Sequence, residues 1–111
     1  MYLKFENIDD KLIANLIGEL DHHSAEEVRV KIDDRIDRDN IKKLILNFNG
    51  VTFMDSSGIG VVVGRYKKIS SKGGALCVTD VNRGVNRVFE LSGLFKIIDS
   101  YSNVSEALKC I

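Results

Sequence analysis

Residues 43–70 read KLILNFNGVTFMDSSGIGVVVGRYKKIS, and the change of period inside this stretch decides the fold. Lys43–Phe48 is a short apolar run of strand length whose β-branched and aromatic content predicts a strand. Gly50 is expected to end it in a turn. The run GVVVG alone suggests a further strand, yet Ile59, Val62, Val63, Tyr66 and Ile69 recur at helical spacing, so Ser57–Ser70 is predicted as a helix. A strand that feeds a helix is the repeating unit of a parallel sheet.

The flanking segments extend this pattern. Leu3 and Phe5 alternate with polar neighbours. After the turn-like Asn7–Asp10, Lys11–Leu20 places Leu12, Ala14 and Leu16 on one face, which predicts an antiparallel pair. Ser24-Ala25-Glu26-Glu27 has capping-box spacing, with the Ser24 hydroxyl accepting from an early helical amide and Glu27 reaching back. In the helix that follows, Ala25, Val28, Ile32 and Ile36 form the inner stripe, and Arg29, Lys31, Asp33, Asp34 and Asp37 take the wet side. Gly74–Thr79 predicts a strand, Asn82–Leu91 a helix stopped near Gly93, and Lys96–Asp99 a short edge strand. Asn103–Lys109 predicts a last helix, capped by Asn103, with Val104, Ala107 and Leu108 turned inward. The order is ββαβαβαβα: an α/β fold with a mixed, mostly parallel sheet and helices packed on it.

Composition bounds the function. The 111 residues suit one domain spanning 1–111, and 44% hydrophobic with 29% charged residues is a globular balance. Sixteen basic and sixteen acidic residues cancel, so no overall field draws the chain to nucleic acid or to an anionic membrane. No stretch reaches the ~20 apolar residues of a membrane span, and no leader pattern is seen at MYLKFENIDD, so a cytoplasmic protein is expected. Cys77 and Cys110 lie in no CxxC pair and near no histidine cluster, and reduced thiols are expected.

Several chemistries are weakened by their missing parts. A nucleophile elbow needs Gly-x-Ser-x-Gly, whereas Met54-Asp55-Ser56-Ser57-Gly58 lacks the first glycine, and the only histidines, His22 and His23, are adjacent. Asp21-His22-His23 contains metal-ligating types without a second cluster to complete a site, so no metal is expected. Gly58, Gly60 and Gly64 open the helix, but the lysine and hydroxyl of a P-loop are absent and Val63 breaks GxGxxG. No cofactor and no enzymatic activity are expected.

What remains is a serine pair at a helix start, with Asp55 as the expected cap. Taking about 100° per residue, Ser57 falls opposite the stripe of Ile59, Val62, Val63, Tyr66 and Ile69, in line with Val61, Gly64 and Lys68. Ser56 falls near the edge of that stripe. The expectation is therefore that Ser57 faces out, that Ser56 partly faces in, and that Val61 belongs to a docking patch. Gly58 and Gly60 are expected to leave room for a partner. A phosphate on Ser57 would add roughly two negative charges at a helix N-terminus, where free amides and the helix dipole favour it. Any acidic or apolar surface docked there would be repelled.

Three stretches, GELDHHSAEEVR at 18–29, FMDSSGIGVVVGRYK at 53–67 and LSGLFKII at 91–98, resemble the STAS domains. Among them they are most similar to the stand-alone anti-sigma factor antagonists of spore-forming bacteria. The resemblance implies a protein that binds an anti-sigma factor, itself a serine kinase holding ATP or ADP, and so releases the sporulation sigma factor F. It further implies that this kinase phosphorylates the second serine, Ser57, to end binding, and that a phosphoserine phosphatase restores it. Asp21 matches an acidic residue that the family places near the docking face. The implied partner-binding set is Asp21, Asp55, Ser56, Ser57, Gly58, Ile59, Gly60 and Val61. A general-stress antagonist of the same family is the near alternative. A small serine-dependent hydrolase or phosphotransferase is the alternative of another class.

Overall fold

The computed structural model describes residues 1–111. Its elements are β1 (Tyr2–Ile8), β2 (Lys11–Leu20), α1 (Ala25–Asp39), β3 (Lys43–Met54), α2 (Ser56–Ser71), β4 (Ala75–Thr79), α3 (Arg83–Ser92), β5 (Asp99–Tyr101) and α4 (Val104–Cys110), with one 3-10 turn at Leu94–Lys96. The ββαβαβαβα order is the one expected. The five strands lie in sequence order across one sheet, β1 antiparallel to β2 and every later neighbour parallel.

Strand alternation sorts the side chains into two layers. Leu12, Leu44 and Leu76 sit in register across β2, β3 and β4, as do Ala14, Leu46 and Val78. They face the main core with Val28, Ile32 and Ile36 of α1, Val61, Val62 and Ile69 of α2, and Val85 and Phe89 of α3. The intervening row, Ile13, Ile45 and Cys77, points to the other face, where Ala107 of α4 closes over it. Three helices thus cover one face and α4 covers part of the other. No helix is long and apolar enough to cross a membrane.

Several local expectations are corrected. Gly50 does not end β3, which runs on to Met54. A side chain at Gly50 would meet Ile17 Cγ1 at 2.8 Å and the Leu16 carbonyl at 2.9 Å, beside a register shift between Asn15 and Ile17. The glycine admits a close strand approach at a bulge. The capping box at Ser24 does not form: the Ser24 hydroxyl donates to the Glu19 carbonyl at 2.8 Å, and Glu27 pairs with Lys31 at 2.7 Å. The last strand begins at Asp99 rather than Lys96, because Leu94–Lys96 coil into the 3-10 turn and bury Leu94, and Ile98 also turns into the core. Asp33 is not on the wet side; it lies against a buried arginine of α2.

The remaining caps follow the sequence. Asn82 accepts from the Val85 amide at 2.9 Å, Asn103 accepts from the Glu106 amide at 2.8 Å, and Gly93 ends α3 with φ of 75°. Cys77 and Cys110 are free thiols, the first buried and the second exposed.

Candidate functional site

Parallel strands deliver their following loops to one edge of the sheet. Leu20 and Met54 are paired at the ends of β2 and β3, so the Asp21–Ser24 loop and Asp55 emerge side by side. The Asp55 amide donates to the Leu20 carbonyl at 3.3 Å. Asp55 Oδ1 accepts from the Ser57 amide at 2.8 Å and so caps α2, while Oδ2 accepts from the His22 amide at 3.3 Å. One carboxylate therefore starts the helix and ties the neighbouring loop to it.

Asp21 organises that loop. Its Oδ1 accepts from the amides of His23 at 2.9 Å and Ser24 at 3.1 Å. Partial burial works against the charged carboxylate, but the Ser24 and His23 N–H groups outweigh it and hold the Asp21 carboxyl below its ordinary value. Glu19, Asp21 and Glu27 line a shallow, strongly acidic groove at the start of α1. His22 and His23 are exposed, their rings edge to face at 5.7 Å.

The orientation expected for the start of α2 is overturned. The buried stripe consists of Gly58, Val61, Val62, Arg65 and Ile69, while Ile59, Val63 and Tyr66 flank it half-buried. Val61 is only 5% exposed and belongs to the core, so it forms no docking patch. Gly58 is buried too: a Cβ there would stand 2.3 Å from Met54 Cγ and 3.1 Å from Leu20 Cγ. That glycine lets the helix settle on the strand ends. Gly60 is exposed, with nothing within 4 Å of a notional Cβ, and it does leave open space.

The two hydroxyls exchange places accordingly. Ser57 lies four residues before Val61, about 40° from it around the helix, and is half-buried. Ser56 lies nine residues before Arg65, about 180° away, and is exposed. Arg65 and Gly58 carry no hydrophobic signal yet face inward, so the spacing of the apolar residues alone misplaces the buried stripe. Ser56 and Gly60 are exposed at the edge, and Asp21, Asp55, Ser57 and Ile59 are each partly exposed there.

Arg65 itself went unnoticed in the sequence. It is 6% exposed, and its Nε stands 2.8 Å from Asp33 Oδ1 of α1. Burial pulls the guanidinium below its ordinary value, against the opposing pull of Asp33. The alternation of Val61, Arg65 and Ile69 at four-residue steps was the available signal.

A STAS domain family model matches residues 2–107. The chain is 44% identical over 108 residues to an anti-sigma F factor antagonist of Paenibacillus polymyxa, covering 97% of this chain and 92% of that one. Among solved structures it is similar to the anti-sigma factor antagonist SpoIIAA in its unphosphorylated form, with a TM-score of 0.84 and 32% identity over 97% of this chain and 94% of that one. It is similar also to the Bacillus cell fate determinant SpoIIAA in the phosphorylated form, with a TM-score of 0.76 and 31% identity over 97% of each chain.

Proposed function

This chain belongs to the STAS domain family, and we propose that it is an anti-sigma factor antagonist of the sigma-F type, a partner-switching regulator rather than an enzyme. In its unmodified form it binds a cytoplasmic anti-sigma factor that is also a serine kinase, with that kinase's nucleotide in place, and the sigma factor is released. Phosphorylation of the serine pair ends binding, and a phosphatase reverses it. The likeness over nearly the whole length to an anti-sigma F factor antagonist supports the partner class. A relative solved in both an unphosphorylated and a phosphorylated form supports the switch.

The observation that carries the switch is a serine pair in the first turn of a helix capped by Asp55. A phosphate there meets free backbone amides and the positive end of the helix dipole, so the fold tolerates it. The added charge stands beside the Asp21 loop, where it repels an acidic or apolar partner surface docked on this edge. The family resemblance points to Ser57 as the acceptor. Ser57 is partly exposed beside the Asp55 cap, and its exposed neighbour Ser56 is the control position.

Incubation with the anti-sigma kinase and ATP, followed by phosphosite mapping, tests this reading. One phosphate on Ser57 is expected, with Ser57→Ala abolishing it and Ser56→Ala leaving it. A phosphate on Ser56 instead would overturn the residue assignment, and no phosphate on either serine would refute the switch.

A further inference from the structure

The α1–α2 interface carries charges where apolar packing would suffice. Arg65 of α2 meets Asp33 of α1 at 2.8 Å, and Lys68, one turn on, meets Asp37 at 2.9 Å. Arg29 adds a looser contact to Asp33 at 3.7 Å and is itself held by Glu26. The inner pair is imperfectly satisfied: its N–H is not aimed along the contact, and Arg65 Nε, Arg65 Nη1 and Asp33 Oδ1 are buried without a hydrogen-bond partner. An arginine at this depth costs more to desolvate than such a contact returns, and a well-packed apolar pair is commonly as stable or more so. Stability alone does not explain it.

Position does. Asp33 lies eight residues beyond Ala25, where α1 begins, and Arg65 lies nine residues beyond Ser56, where α2 begins. At about 1.5 Å per residue, the pair joins the two helices at similar depth, roughly 12–14 Å below the edge that carries Asp21 and the serines. The His22 amide on Asp55 is the tie at the edge itself. A turn's slip of α2 toward the serine edge would carry Arg65 from Asp33 toward Arg29 and leave a buried charge unpaired, and the opposite slip would trade Asp33 for the exposed Asp37 and displace Lys68.

We infer that Arg65 and Asp33 are positioning residues that fix the register of α2 against α1, and thereby the placement of the serine pair relative to the Asp21 loop for the modifying kinase. The role in modification rests on the partner-switching reading; the role in register does not. The test is the double variant Asp33→Leu with Arg65→Met in the full chain. Thermal unfolding should stay within a few degrees of wild type. Amide shifts of His22 and Ser57 in the free protein should move, and kcat/KM for phosphorylation by the anti-sigma kinase should fall on the order of 10²-fold, the scale expected for an ångström-level misplacement. Arg65→Lys, which keeps the charge, should restore most of that rate.

Wild-type amide shifts with wild-type phosphorylation in the double variant would overturn the inference. So would failure of that variant to fold, since the pair would then serve the fold and not the register. A wild-type chain that takes no phosphate would refute the functional reading instead, while the amide shifts would still decide the register.

Discussion

Gly58 and Gly60 occupy the same helix two residues apart, and replacing each by alanine separates packing from propensity. The intrinsic gain is the same at both sites, about 1 kcal/mol for removing a helical glycine. Gly60 has open space, so Gly60→Ala should realise that gain. At Gly58 the new methyl would meet Met54 Cγ at 2.3 Å and Sδ at 2.7 Å, with Leu20 Cγ at 3.1 Å behind them. Met54 is 4% exposed and Leu20 fully buried, so neither can swing into solvent. Overpacking of this kind costs about 1–3 kcal/mol. The two variants should differ by that amount, or roughly 4–12 °C in melting temperature at about 4 °C per kcal/mol for a domain of this size. Thermal unfolding followed by circular dichroism, with urea denaturation as a check, measures the gap. Equal stability of the two variants would refute the close seating of α2 on the strand ends.

Removing the Asp55 carboxylate by Asp55→Ala should cost about 1–2 kcal/mol, since one side chain caps α2 and holds the His22 amide; Asp55→Asn, which keeps an acceptor, should lose less than half of that in urea unfolding. Because the folded carboxyl of Asp21 sits below its ordinary value, its contribution is fully present above the usual carboxylate range and is lost as pH falls through the folded value. The stability gap between wild type and Asp21→Asn should therefore close on acidification, and a gap that widens would contradict the loop geometry. Burial pushes the Cys77 thiol up to about 12, so iodoacetamide at neutral pH should label Cys110 alone in the folded protein and both cysteines in denaturant.

The elements that sequence resolves best here are those whose polar and apolar residues do the ordinary thing. The alternation of β1 and β2, the stripe of α1 and the asparagine caps of α3 and α4 all lie where hydropathy and capping chemistry place them. The errors share one physical origin. Gly50 reads as a breaker but admits a close strand approach, Gly58 reads as spare room but is a contact, and Arg65 carries no apolar signal but is buried. A glycine's role depends on what lies opposite it, and a buried arginine on a carboxylate 32 residues away in sequence. Neither is local information. Gly58 and Arg65, both facing inward, set the turn of α2 that leaves Ser56 exposed and Ser57 partly covered, so the motif was legible as a site while the burial of its two serines was not.

The most direct test of partner switching is the affinity of the nucleotide-loaded anti-sigma factor for the unmodified and the serine-phosphorylated protein, measured by isothermal titration. Tight binding of the unmodified form and a loss on the order of 10²-fold after phosphorylation are predicted, from a charge placed on the docking edge of an otherwise unchanged fold. Equal affinities for the two forms would contradict it.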